Sequence, residues 1–320
     1  MAQLAATPKQ PERRGIFSLP RLNMYQQESL AGYLCVSIWV IGFLIFSLGP
    51  MLATVVLSFY KWDLIRSPRF INAENYVKLF SDDLFWQSIK VTVVYGLGRV
   101  PLGIVAGLLT AMLLNQKVKF LGFWRILYYM PVVLPPVAIS LLWMWIYNPR
   151  YGVLNGILWD FFGIQGPAWL QSTTWVLPSL MVMAVWAALG RNMLIYLSGL
   201  QSIAQDLYDA ANVDGAGAWR KFFSITIPML SPVIFFNLIT GMIDTFQLFT
   251  QAYVMTEGGP RNASLFFSYY LFQHGFQRFN MGYASSMAVV VTLLIVLLTL
   301  LVFRSSKAWV YYDGELLEGN

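Results

Sequence analysis

The sequence has 320 residues, 58% hydrophobic and 11% charged, with a mean hydropathy of +0.59. Soluble domains carry about 25% charged residues, so this composition cannot cover a folded surface in water and calls for a bilayer as solvent. The net charge of +6 would suit nucleic acid, but the basic residues are scattered among loops, and a lone Cys35 and a lone His274 exclude an internal disulfide and speak against a metal-ligand cluster.

Residues 1–31 are polar, carry Lys9, Arg13, Arg14 and Arg21, and read as a tail. The apolar run 32–60 is far longer than the roughly 7–15-residue core of a leader peptide, and is expected to stay in the protein as a membrane span. Five further runs approach or exceed the roughly 20 apolar residues that cross a bilayer: 91–114, 124–147, 175–198, 232–254 and 284–303, followed by a second tail, 304–320. The predicted fold is all-α, a polytopic membrane protein with six transmembrane helices over 32–303. An even number of spans puts both termini on one side. Eleven lysines and arginines fall in the segments on that side against eight in the opposite loops, which makes it cytoplasmic. Gly49-Pro50 should interrupt the first span, and Pro131, Pro135 and Pro136 the third, as packing kinks or as a gate. Tyr60, Trp62, Trp143, Trp145, Tyr147, Trp169 and Trp175 are expected to form an interfacial aromatic belt.

Between the fourth and fifth spans, the loop 199–231 reads as helix, break, helix. Ala210 and Ala211 are small enough to let another surface approach, Gly215 and Gly217 permit a sharp turn, and Phe222, Phe223 and Ile225 open a second amphipathic piece ending at Pro228. Such a helix can dock in a groove on a soluble partner. The run Asp209-Ala210-Ala211, three residues, Gly215, nine residues, Ile225-Thr226-Ile227-Pro228 resembles the "EAA" coupling loop of binding-protein-dependent ABC importer permeases. Asp209 stands where glutamate is usual, and Ile227 where leucine is. Asp214 lies within the same motif. The resemblance extends over nearly the whole chain past the first tail and is nearest to the carbohydrate-uptake branch. Phe70–Tyr76, Arg125–Pro131, Trp143–Trp145, Thr256–Pro260 and Gly282–Ala284 look like that branch's loops and spans. It implies a cytoplasmic coupling helix between helices 4 and 5, a second permease subunit (in this branch a paralogue), two ATPase subunits and an extracytoplasmic solute-binding protein. It also implies a carbohydrate-like substrate and a bacterial cytoplasmic (inner) membrane. No G-x-x-x-x-G-K-[ST] phosphate loop occurs in the sequence. No cofactor is therefore expected in this chain, and ATP and magnesium belong to the partner ATPases.

In the fifth span Asn237, Thr240, Asp244, Gln247 and Gln251 fall within about 80° of one another at 100° per residue, one stripe of a helix. An aspartate facing lipid costs about 2.5–3.5 kcal/mol at mid-membrane, so the stripe should face the interior, either lining a substrate path or bonding to a partner permease. Arg99 in the second span lies at a depth matching Asp244, which makes the two a candidate pair, with Arg99 turned toward headgroups as the alternative. Arg191 is expected to snorkel to the cytoplasmic interface, and His274 to be solvated in the last outer loop or to touch the binding protein. Two other classes compete. An ion-gradient-driven transporter would need ionisable residues at the core of internal repeats, and no duplication is visible. A membrane-embedded enzyme would need a second intramembrane carboxylate or a histidine within a span.

Overall fold

The computed structural model describes residues 23–117 and 119–311. The parts of the two expected tails before residue 23 and after residue 311 lie outside them. The chain divides into two units, residues 1–53 and 54–320.

The described part of the first unit belongs to α1 (Met24–Phe43), a π-helical turn (Leu44–Leu48) and the start of α2 (Gly49–Leu57). Pro50 does not break this helix, contrary to expectation. The Gly49 amide bonds to the Leu44 carbonyl five residues back, and this widened turn absorbs the proline. The result is one 34-residue helix, Met24–Leu57. None of its residues up to 53 for which burial is described is buried. Past Ser29 its sequence is apolar on every side, the composition of a membrane-length helix.

The second unit begins with a two-stranded antiparallel ribbon, β1 (Tyr60–Lys61) and β2 (Arg69–Phe70), then α3 (Glu74–Phe80). Asp82 caps α4 (Asp83–Leu114) by accepting the Leu84 and Phe85 amides at 3.0 and 3.4 Å. There follow α5 (Leu121–Val133), α6 (Pro136–Ile146), α7 (Val153–Phe162) and α8 (Val176–Ser202). After them come α9 (Gln205–Val213), α10 (Ala218–Lys221), α11 (Ile227–Met229), α12 (Ser231–Phe246), α13 (Phe267–Phe272) and α14 (Met281–Ser306). The long helices α4, α8 and α14 are each long and apolar enough to cross a membrane, as are the pairs α5–α6 and α10–α12 taken together.

Small residues let α4, α5 and α8 close on one another. A Cβ at Gly107 of α4 would sit 2.8 Å from the Asn192 Cβ of α8, and one at Gly190 of α8 would sit 2.5 Å from the Tyr128 carbonyl oxygen of α5. Two apolar cores result. One holds Leu79, Tyr95, Trp143, Met183, Phe266 and Tyr283; the other holds Leu108, Ala111, Met193, Tyr196 and Leu230.

Two membrane-length segments are broken. Between α5 and α6 the axis turns by 101°. Pro131 is carried inside α5; the break comes at Leu134 and Pro135, both extended (ψ 138°) because each precedes a proline. Between α11 and α12 the turn is 62°. There Pro232 has no N–H to offer the helix, and the Ser231 hydroxyl donates to the Pro228 carbonyl instead, at 2.6 Å.

The aromatic belt is corrected in part. Trp143 and Tyr147 are buried, and Trp143, Tyr147, Trp169 and Trp175 form a chain of ring contacts with centroids 5.0, 5.9 and 5.4 Å apart. The Trp169 indole donates to Asn155 Oδ1 at 2.7 Å and the Tyr147 hydroxyl to the Ser179 carbonyl at 2.7 Å. Trp145 remains half exposed. Helix α7, which supplies Asn155, was not among the expected elements.

Candidate functional site

Between the two cores, at mid-length of the bundle, lies a layer of charge. Arg99 sits near the middle of the 32-residue α4, Arg191 near the middle of the 27-residue α8, and Asp244 in the last turns of α12. Arg191 Nη2 donates to Asp244 Oδ2 at 2.8 Å, and Arg99 Nη2 lies 3.9 Å from the same oxygen. Arg99 Nη1 also donates to the Gly241 carbonyl at 3.3 Å. The expected approach of Arg99 to Asp244 is thus present, and the expected snorkelling of Arg191 is not. Helix α8 runs on to Ser202, beyond the expected end at 198, which leaves Arg191 in the middle rather than at a terminus.

The stripe on the fifth span is present only in part as a helix face. Helix α12 ends at Phe246, so Gln247 is its C-cap and Gln251 lies beyond an unwound stretch. Asn237 is buried, its amide donating to the Val233 carbonyl at 2.9 Å, and Thr240 donates to the Phe236 carbonyl at 2.8 Å. All five residues nevertheless converge on two adjoining hollows. A small one is lined by Arg99, Arg191, Asn192, Asn237 and Thr240. A larger one, about 410 Å³, is lined by Arg99, Arg191, Asp244, Gln247 and Gln251 together with Pro131, Leu134 and Pro136. The break in α5–α6 and the unwound end of α12 therefore meet at one cavity. Irregular backbone at membrane depth is tolerated where it is buried in protein or lines a polar cavity.

At one end of the bundle the loop 199–231 forms a bracket. Helix α9 ends in a Schellman motif: Gly215 is left-handed (φ 69°), its amide bonds to the Asn212 carbonyl at 3.1 Å, and the Ala216 amide bonds to the Ala211 carbonyl at 2.8 Å. The Tyr208 and Thr226 hydroxyls share a 2.9 Å hydrogen bond, and Lys221 Nζ donates to Asn212 Oδ1 at 2.8 Å. These tie α9 to the returning helical arm of the bracket. The motif residues divide between two faces. Asp209, Ala210, Asp214 and Gly215 are exposed, whereas Ala211, Ile225 and Pro228 are half-buried, with Ile225 packed on the second core. The helical run also continues to Met229, past the expected stop at Pro228.

At the opposite end Asp82 gathers a second polar cluster. Its Oδ2 accepts the Tyr270 hydroxyl at 2.7 Å and the Tyr283 hydroxyl at 2.5 Å. Burial alone would raise the Asp82 carboxyl, but the bonds from Tyr283, Tyr270 and the Phe85 and Leu84 amides outweigh it and hold it below its ordinary value. His274 is not solvated as expected. It is buried, with its ring 4.7 Å from Tyr270 and 4.8 Å from Tyr283, and its Nε2 is 3.0 Å from Arg278 Nη1. Burial, then the Arg278 charge, lower its pKa to about 4.

A permease protein of Bacillus subtilis (strain 168) named as a probable ABC transporter permease, YesP, is 40% identical over 306 residues, 94% of this chain and 98% of that one. The lactose transport system permease protein LacF of Rhizobium radiobacter is 34% identical over 90% of this chain and 97% of its own. A chain of a solved bacterial alginate ABC transporter shares the fold, with a TM-score of 0.77 at 22% identity over 88% of this chain and 96% of that one. The family model described as the binding-protein-dependent transport system inner membrane component matches residues 101–309. With that match over most of its length, and relatives of this identity along nearly all of it, the chain belongs to the family of binding-protein-dependent transport system inner membrane components.

Proposed function

We propose that the chain forms half of the solute path of an ATP-driven importer, crossing the bacterial cytoplasmic membrane six times with both termini in the cytoplasm. The spans are Met24–Leu57, α4, the bent pair α5–α6, α8, the bent run α10–α12, and α14. The other half of the path is a second permease subunit, two ATPase subunits supply the energy, and an extracytoplasmic binding protein delivers the solute. The identity to a lactose permease supports a carbohydrate-type solute.

The bracket 199–231 is the coupling element in this reading, and its exposed face carries the argument. Among its residues, Val213 is 89% and Trp219 76% exposed, beside exposed Asp209, Ala210 and Gly215. Apolar side chains on a short helix held out by a Schellman turn suit a groove on a soluble partner. Closure of the ATPases would move the bracket and, through Ile225 and Tyr208 on the second core, tilt α8 and α12 around the charged cavity. Arg99, Asn237, Thr240, Asp244, Gln247 and Gln251, with Arg191, then line the path.

The test is a substitution at Gly215. A Cβ there meets nothing within 4 Å, so bulk is not opposed by the chain itself, although any L side chain is strained at this φ. In the assembled transporter, Gly215→Trp should abolish vanadate-sensitive uptake while the chain still inserts. Gly215→Asn, which tolerates the left-handed conformation, should keep more uptake. Normal uptake by the tryptophan variant would overturn the coupling role.

A further inference from the structure

We infer that the transported solute carries a negatively charged group, and that Arg99 and Arg191 receive it in the mid-bundle cavity. This rests on the reading of that cavity as the solute path and names the chemical class that fits it. Two guanidiniums and one carboxylate line the larger hollow, and its other lining residues are neutral. The layer therefore carries one surplus positive charge. Among the described residues Asp244 is the one carboxylate within ion-pair distance of either arginine, and both approach the same oxygen, Oδ2.

The two arginines are held differently. Arg99 is nearly enclosed, its side chain 14% exposed, and is fixed by the Gly241 carbonyl as well as by Asp244. Arg191 is 48% exposed in its side chain, and among the described residues its one hydrogen bond goes to Asp244. A guanidinium has five N–H donors in a rigid fork, so most of those on Arg191 remain for a guest. Sugar hydroxyls can accept some of these bonds, but they leave the surplus charge unanswered at a depth where an unbalanced ion is costly. A carboxylate, sulfonate or phosphate answers both the charge and the fork. Gln247 and Gln251 add amides for hydroxyls on the same guest. The volume of about 410 Å³ lies within the roughly 300–1,000 Å³ of small-molecule sites.

The inference is tested on the complete transporter, reconstituted in nanodiscs without ATP, by equilibrium binding of matched probes. Galacturonic acid is compared with galactose, glucose 6-phosphate with glucose, and digalacturonic acid with galactobiose. At least one acidic probe should bind about ten-fold more tightly than its neutral counterpart, with a preference that weakens as salt rises. Arg191→Gln should reduce that preference about ten-fold or more, as loss of a hydrogen bond to a charged group does. Arg99→Gln should act in the same direction, Arg99→Lys should retain part of the preference, and Asp244→Asn should strengthen acid binding by removing the competing carboxylate. The inference is overturned if no acidic probe exceeds its neutral partner, or if the preference survives in both glutamine variants. Failure of the underlying reading looks different. Uptake indifferent to vanadate and to Gly215→Trp would sink the coupling, whereas ATP-driven uptake of the neutral probes alone would sink only the charge.

Discussion

Asp82 and Asp244 are both carboxylates among the helices of the second unit, and their surroundings differ in kind. Asp82 has four donors of its own: two backbone amides of the first turn of α4, which it caps, and two tyrosine hydroxyls, which tie α13 and α14 to that turn. Asp244 has no such closed shell. Its Oδ2 is divided between two arginines at 2.8 and 3.9 Å beside an open cavity. A saturated anion holds helices together, whereas an anion outnumbered by its cations leaves donors for something else. In the proposed reading, one of these carboxylates belongs to architecture and the other to the solute path.

The comparison breaks if the two sites respond alike to mutation. Asp82→Ala should have the largest effect on stability, about 2–4 kcal/mol, from a lost cap and two stranded tyrosine hydroxyls. It is read as a drop in the thermal midpoint of the purified chain, with uptake lost as a consequence. Asp244→Ala should cost about 1 kcal/mol or less, because the pair is half-exposed, yet it should reduce uptake at least ten-fold in the assembled transporter. A destabilised Asp244 variant beside a stable Asp82 variant would reverse the assignment.

A smaller effect sharpens the same contrast. His274 faces Asp82, Lys78, Arg278, Tyr270 and Tyr283, and its pKa is lowered from 6.5 to about 4. As pH falls below 6.5 the unfolded chain takes up this proton, whereas the folded chain does not until about 4. The contribution to stability is therefore complete above 6.5 and is lost as pH drops from there to about 4. Thermal midpoints measured from pH 8 to 4 should decline in that window, and His274→Gln should flatten the decline. Asp82 adds its own loss only below the ordinary carboxylate value of 3.8.

How much of this was legible in the sequence follows from what each signal depends on. The apolar runs and the spacing around Gly215 are local, and they pointed to the membrane and to the bracket. Hydropathy ends α8 too early, because its last turn, to Ser202, is polar, and so places Arg191 nearer a terminus than it is. The stripe Asn237–Gln251 was drawn on an ideal helix, and nothing in its own residues announces that α12 stops at Phe246. The break at Leu134–Pro135 was partly readable, since proline restricts the residue before it. The burial of His274 and Trp143 was not, because it depends on partners far away in sequence. The cluster at Asp82 was not readable either, because its two tyrosines are more than 180 residues distant.

The double-proline break also bears on how the chain is made. Leu134 and Pro135 interrupt the helical bonding of α5–α6, and the cavity that Leu134 and Pro136 line is closed by α8 and the unwound end of α12. Those segments are synthesised later. Lipid cannot hydrogen-bond freed carbonyls, and the cavity beside this break closes only once residues about 50 to 115 positions downstream have joined it.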